Sequence, residues 1–244
     1  NIHTKDFTWF TNLNFGYNDN TVLRETVAEN AIKPSREGYS VGAIFAYKTA
    51  GLDDEGYPLF LTQDGRKVTA TEFFKLNNAG ASTLSAEEQR NLYSYIGSTE
   101  PKVSGGFMNT FKYKRVTLGI NCIFNFGMYV QTTPTYDPTN YDRGLNSNRD
   151  ILNRWTPDHT NTTLPKLMTE NDGRTGEYLR YKEQNLFREL DIWVKKQNYF
   201  RFESIRLGYE LPEKWLKPVG IKSASVSLEG RNLWVIASNY HNYL

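Results

Sequence analysis

The sequence predicts an all-β protein, a portion of an antiparallel transmembrane β-barrel carrying long extracellular loops. Three observations point there. One stretch, Val116–Val130, alternates apolar and polar residues almost without interruption. The connections between alternating stretches are either very short or very long. Aromatic residues are abundant, 16 Tyr, 14 Phe and 5 Trp, in a chain whose hydrophobic fraction is only 39%.

Alternation with period two places successive side chains on opposite faces of a strand. From Val116 to Val130 every even position is apolar, while Thr117, Gly119, Asn121, Asn125 and Gly127 occupy the other face, with Ile123 and Tyr129 as exceptions. Strands of soluble domains usually run about 5–6 residues. At ~3.4 Å per residue this run is long enough to cross a tilted apolar band of ~25 Å. Leu118, Ile120, Phe124 and Phe126 are therefore expected to face lipid, and Asn121 and Asn125 the lumen. Two glycines inside the run argue against a helix.

Other stretches repeat the pattern. Phe7, Trp9, Thr11, Leu13, Phe15 and Tyr17 share one face, opposite Thr8, Asn12, Asn14 and Gly16, with Phe10 as the exception. The stretch from Phe107 to Tyr113 leads through Lys114-Arg115 into Val116, which reads as a tight hairpin. Ile205, Leu207, Tyr209 and Leu211 alternate with Ser204, Arg206, Gly208 and Glu210, and Ala224, Val226 and Leu228 alternate with serines and Glu229. At Gly230 the pattern weakens, and a bulge or the exit from the apolar zone is expected. Five strands follow, at 6–17, 105–113, 116–130, 199–211 and 222–235. Rings near both ends of an apolar face suit the two wet boundaries of a membrane.

Segments 18–103 and 131–198 are too long for simple connections in a compact soluble domain, and a barrel accommodates such segments on its outer side. An even number of spans must lie within 18–103. Val41–Tyr47 cannot span alone; it is either paired with an unseen partner or part of an extracellular hairpin, and the second is the favoured reading. Ser85-Ala86-Glu87-Glu88 fits a capping box opening a helix to about Tyr95. Asp64-Gly65 and Asp172-Gly173 are turn signals. The chain opens and closes in polar material, which reads as a piece of a longer protein.

Several classes of function find little support. Charges of 29 basic and 27 acidic residues nearly balance, without a long like-charge run, so no nucleic-acid footprint is seen. A single Cys122 offers no disulfide framework, and His3, His159 and His241 lack paired metal-ligand spacing. Asp53-Asp54-Glu55-Gly56 lacks the alternating acids of a Ca²⁺ loop and reads as a solvated turn. No nucleophile elbow or phosphate loop occurs, so neither an enzyme nor a metal or other cofactor is expected. A soluble β-sandwich carbohydrate-binding module is the alternative reading. Tyr136, Tyr141, Trp155 and Tyr178 lie in the long segments, where their rings could stack on cargo or pack the segments together.

Five segments, in chain order, carry a family resemblance. They are Gly38–Leu52 (GYSVGAIFAYKTAGL), Tyr95–Phe107 (YIGSTEPKVSGGF), Asn153–Pro157 (NRWTP), Tyr199–Pro212 (YFRFESIRLGYELP) and Glu229–Trp234 (EGRNLW). Together they resemble the C-terminal barrel portion of SusC-like (SusC/RagA) TonB-dependent outer-membrane transporters. The resemblance implies part of a 22-stranded barrel in the cell outer membrane, with the N-terminal plug outside this chain. It also implies a SusD-like surface lipoprotein as lid, oligosaccharide or peptide as cargo, and energy delivered by TonB through the plug.

Overall fold

The computed structural model describes residues 1–141 and 146–238. In chain order the elements are β1 (Ile2–His3), β2 (Phe7–Tyr17), β3 (Ala43–Ala46), β4 (Thr49–Leu52), β5 (Pro58–Leu61), β6 (Lys67–Val68), α1 (Ala70–Phe74), α2 (Ala86–Asn91) and β7 (Ser94–Ser98). They continue with β8 (Val103–Tyr113), β9 (Val116–Gln131), α3 (Thr175–Gln184), β10 (Val194–Glu210), α4 (Glu213–Leu216) and β11 (Ser225–Ala237). Two compact units result, one from residues 1–19, 100–129 and 196–244, the other from 20–99 and 130–195.

The first unit is an open antiparallel sheet in the order β1-β2-β8-β9-β10-β11. All five expected strands are present, and β10 is longer than alternation alone indicated. Its first residues, Val194-Lys195-Lys196-Gln197-Asn198, are too polar to show the period. β2 pairs directly with β8, Phe7 opposite Tyr113 through Tyr17 opposite Val103. No strand of the intervening segment joins this sheet, an even number of spans, namely zero. The β8–β9 hairpin closes through Lys114, which takes a positive φ of 52°, a conformation costly for a residue with a Cβ. The bulge expected at Gly230 lies close by. The β10–β11 register shifts between Phe202 and Ser204, opposite Asn232, whose φ is 51°.

The second unit has its own core. β3 pairs with β7, and β4, β5 and β6 form a three-stranded sheet. Val41–Tyr47 is thus not a local hairpin: its strand finds a partner far along the chain, Phe45 opposite Tyr95. The Ser85–Glu88 capping box is present, but α2 stops at Asn91 because Ser94 onward is drawn into β7. Tyr47, Phe60, Phe73 and Phe74 meet edge-on and stacked, with centroids 4.9 Å apart for Tyr47–Phe74 and for Phe60–Phe73. The Arg180 guanidinium lies 4.7 Å from the Phe74 ring centre.

Asp53 is used structurally. Arg174 Nη1 pairs with Asp53 at 2.7 Å and Nη2 with Glu55 at 3.0 Å, while the guanidinium covers the Tyr57 ring at 4.5 Å. The Tyr57 hydroxyl donates to Asp172 at 2.9 Å, and Lys166 pairs with Asp172 at 3.1 Å. Burial pushes the Asp172 carboxyl up, but hydrogen bonds from Thr169, Lys166 and Tyr57 outweigh it, leaving a pKa of about 2 against 3.8. A depressed carboxyl stabilises the fold above its ordinary pKa and loses that contribution as pH falls through the folded value. Acid opening of this unit is therefore expected between pH 3.8 and about 2. Asp172→Asn should flatten that part of an acid titration followed by Tyr and Trp fluorescence; an unchanged profile would remove Asp172 from the account.

Candidate functional site, a two-faced wall

Directly paired residues of neighbouring strands share a face, so the registers of β2, β8 and β9 define rows across the sheet. On one face run Phe7·Tyr113·Val116, Trp9·Phe111·Leu118, Thr11·Asn109·Ile120, Leu13·Phe107·Cys122, Phe15·Gly105·Phe124 and Tyr17·Val103·Phe126. On the other run Thr8·Lys112·Thr117, Phe10·Thr110·Gly119, Asn12·Met108·Asn121, Asn14·Gly106·Ile123 and Gly16·Ser104·Asn125. One face is apolar and aromatic, the other mostly small, amide or hydroxyl. Leu118, Ile120, Phe124 and Phe126 all lie on the apolar face, opposite Asn121 and Asn125.

The rings gather at the two ends of the apolar face. Near the β8–β9 turn Trp9 stacks on Phe111 at 5.8 Å. Toward the other end a continuous row crosses three strands: Phe126–Phe124 at 5.6 Å, Phe124–Phe200 at 6.5 Å, Phe200–Phe202 at 5.5 Å and Phe202–Trp234 at 5.7 Å. This row exposes a phase change in β10. Up to Phe202 the even residues join the rings, whereas beyond the register shift Ser204 and Arg206 belong with Asn121 and Gly119. Ile205, Leu207 and Tyr209 then carry the apolar parity.

Among the described residues of its unit nothing covers this face. Leu13, Phe15, Tyr17, Leu228 and Trp234 remain 64%, 65%, 64%, 78% and 66% exposed, far beyond the scattered apolar residues of a soluble surface. Among the described residues of that unit no second sheet packs on it, in contrast to the sandwich alternative. Thr11 and Asn109 interrupt the face side by side; Asn109 is buried and accepts a hydrogen bond from the Trp9 indole at 2.9 Å. Phe124 lies over Gly105, where a Cβ would meet the Asn14 carbonyl and the Phe124 ring. Gly105→Ala should displace both and cost about 1–3 kcal/mol, read as a lower unfolding midpoint of the full-length barrel; an unchanged midpoint would show that the strands yield.

The polar face holds a hollow of about 490 Å³, lined among others by Thr117, Gly119, Asn121, Ser204, Arg206 and Ser227. Lys112 pairs with Glu210 at 2.6 Å, Asn121 donates to Ser204 at 3.0 Å, and Asn125 donates to the Tyr199 hydroxyl at 2.6 Å. Sequence reading had assigned Asn121 and Asn125 to this side. It missed the contributions of β8 and β11, because only the register brings Thr110 and Ser227 into the same hollow.

The four tyrosine and tryptophan candidates separate. Tyr136 and Tyr178 are buried in the core of the second unit, and the Tyr136 hydroxyl donates to the Pro165 carbonyl at 2.8 Å. Their ring faces are taken up by packing, which corrects the expectation that they could stack on cargo. Trp155 is half-buried with its ring over Gly56, and Tyr141 is half-buried beside Lys182 and Glu170.

No family model matches the chain. It is 24% identical over 254 residues to TonB-dependent receptor P3 of Formosa agariphila (strain DSM 15362), covering 96% of this chain and 23% of that protein. To TonB-dependent receptor P39 of the same strain it is 23% identical, covering 99% of this chain and 26% of the relative. The chain thus spans about a quarter of these relatives' length. Among solved structures it superposes on the RagAB peptide transporter with a TM-score of 0.67 and 21% identity, covering 98% of this chain and 24% of that one. A RagAB peptide importer in the closed-closed state gives 0.66 at 22% identity, over 96% of this chain and 24% of the other. No helix among the described residues is long and apolar enough to cross a membrane, and the crossing elements of such a fold are strands. Over nearly its whole length the chain is similar to these TonB-dependent receptors, and it shares the fold of the matching portion of the SusC/RagA-like RagAB structures, an open stretch of antiparallel β-barrel wall.

Proposed function

We propose that this chain supplies part of the wall and outward segments of an active importer of oligomeric nutrients, glycans or peptides. The observation that carries this reading is the sheet's division into an uncovered apolar face and a polar face with a hollow. In this reading Leu118, Ile120, Phe124 and Phe126 meet outer-membrane lipid, and the hollow side lines the passage. Segments 18–103 and 131–198 face outward, where a SusD-like lipoprotein closes over them. Trp155 and Tyr141 are the remaining ring candidates for cargo contact. Energy arrives through TonB acting on a plug domain encoded elsewhere in the full protein. The names of the curated relatives and the RagAB structures support transport; the choice between glycan and peptide rests on chemistry.

The test is uptake. A strain lacking the full-length protein, grown on neutral oligosaccharides or on peptides as the sole carbon source, should lose growth on at least one of them. Dissipating the proton gradient should stop the same uptake in the parent strain. Equal growth of both strains on every nutrient would refute import.

A further inference from the structure

The two-stranded sheet of β3 and β7 has an inner and an outer face. Ile44 and Ala46 point inward and are buried. Phe45, paired with Tyr95, points outward. Tyr39 packs over both, its ring centre 5.2 Å from Phe45 and 4.9 Å from Tyr95, the latter stacked with planes 30° apart. Tyr39 and Tyr95 each stay 41% exposed, and the adjoining Val41 51%. Rings that cluster without leaving solvent form a platform rather than a core.

A hollow of about 680 Å³ opens beside this platform and includes Phe45 and Val41 in its wall. Its other wall comes from the loop between Val22 and Gly38, whose neck is tied by Val22 N–H donating to the Tyr39 carbonyl at 2.8 Å and Gly38 N–H to the Val22 carbonyl at 2.9 Å. Arg36 holds the loop's shape, donating through Nε to Glu25 at 2.9 Å and through Nη1 to the Val41 carbonyl at 3.0 Å. Cation and carboxylate face each other there, and Thr26, Thr99 and Gln131 add neutral donors and acceptors.

We propose that Tyr39, Phe45 and Tyr95 form a stacking platform for a pyranose ring of a neutral oligosaccharide. The C–H face of a sugar matches a flat aromatic surface, while its hydroxyls need donors and acceptors in equal measure nearby. An anionic ligand would call for surplus positive charge, and both cations of the hollow are matched, Arg36 by Glu25 and Lys33 by Glu189 at 3.4 Å. The volume lies within the ~300–1,000 Å³ usual for small-ligand sites. The proposal rests on the import reading and narrows its cargo.

The test is calorimetric titration of the full-length transporter in detergent with maltohexaose, cellohexaose, laminarihexaose and xylohexaose. At least one should bind. Tyr39→Ala and Tyr95→Ala should each weaken it about tenfold, the scale of one lost ring contact, while Tyr39→Phe, which keeps the ring, stays close to the parent. Heat-modifiable mobility on gels shows that each variant has assembled. The platform is overturned if none of the sugars binds the parent protein, or if both alanine variants bind like the parent. It is equally overturned if a tryptic peptide mixture binds in a Tyr95-dependent way. Growth lost in the strain lacking the protein leaves import standing when the platform fails; equal growth of both strains removes import itself.

Discussion

Arginine at Ile120 is expected to weaken the assembled full-length barrel by about 2–4 kcal/mol, the range for a cation at the bilayer midplane. The position follows from register. Val116 begins β9 at the hairpin turn and Ile120 lies further up the same face. With ~3.4 Å per residue and a tilt of about 40°, Ile120 sits ~10 Å above the turn, near the middle of a ~25 Å band. Phe124 lies ~21 Å up by the same reckoning, so Phe124→Arg should cost less, approaching the roughly 0–1 kcal/mol found near an interface. Asn121→Arg, pointing into the polar hollow, should be tolerated. Chemical unfolding of barrels reconstituted in vesicles would read all three. Equal losses at positions 120 and 121 would mean that the two faces are not lipid and lumen.

Truncating Phe74 to alanine should have a comparable or larger effect on the second unit. The ring is fully buried, in contact with Tyr47, Phe60 and Phe73 and capped by Arg180. Losing a buried phenylalanine costs about 3–5 kcal/mol, through lost transfer energy and the cavity left behind. Here Arg180 would also lose the ring that its buried guanidinium covers. Hydrogen exchange on the full-length protein should show faster exchange in α1 and α3 but unchanged protection in β8 and β9. Loss of protection in the strands as well would show that the two units fold as one cooperative body.

The long strands were legible because period-two alternation over ten or more residues has few competing explanations. The short ones were not. Ala43–Ala46 is too brief to reveal its partner, and nothing local to it points to Ser94–Ser98. Aromatic residues in polar segments were the hardest to place. Tyr136 and Trp155 look alike in sequence, and only the packing of Phe187 and Pro165 around the former decides that it is core. Asn109 was equally opaque, since its partner Trp9 is a hundred residues away. Three of the five motif segments reach the wall, in β8, β10 and β11; a fourth holds Tyr39 and Phe45, although no role for those rings could be read from the motif.

The register shift in β10 bears on how such proteins can be recombined. Before it, even-numbered residues turn toward the rings; after it, odd-numbered residues do. A hybrid joined to another barrel within Phe202–Ser204 without this irregularity would rotate the rest of β10 by one position. Arg206 and Glu210 would then turn to the apolar face and Leu207 to the polar one. Domain shuffling between relatives therefore has to carry β10, its irregularity and β11 together, which makes this strand pair, rather than the single strand, the smallest exchangeable piece of the wall.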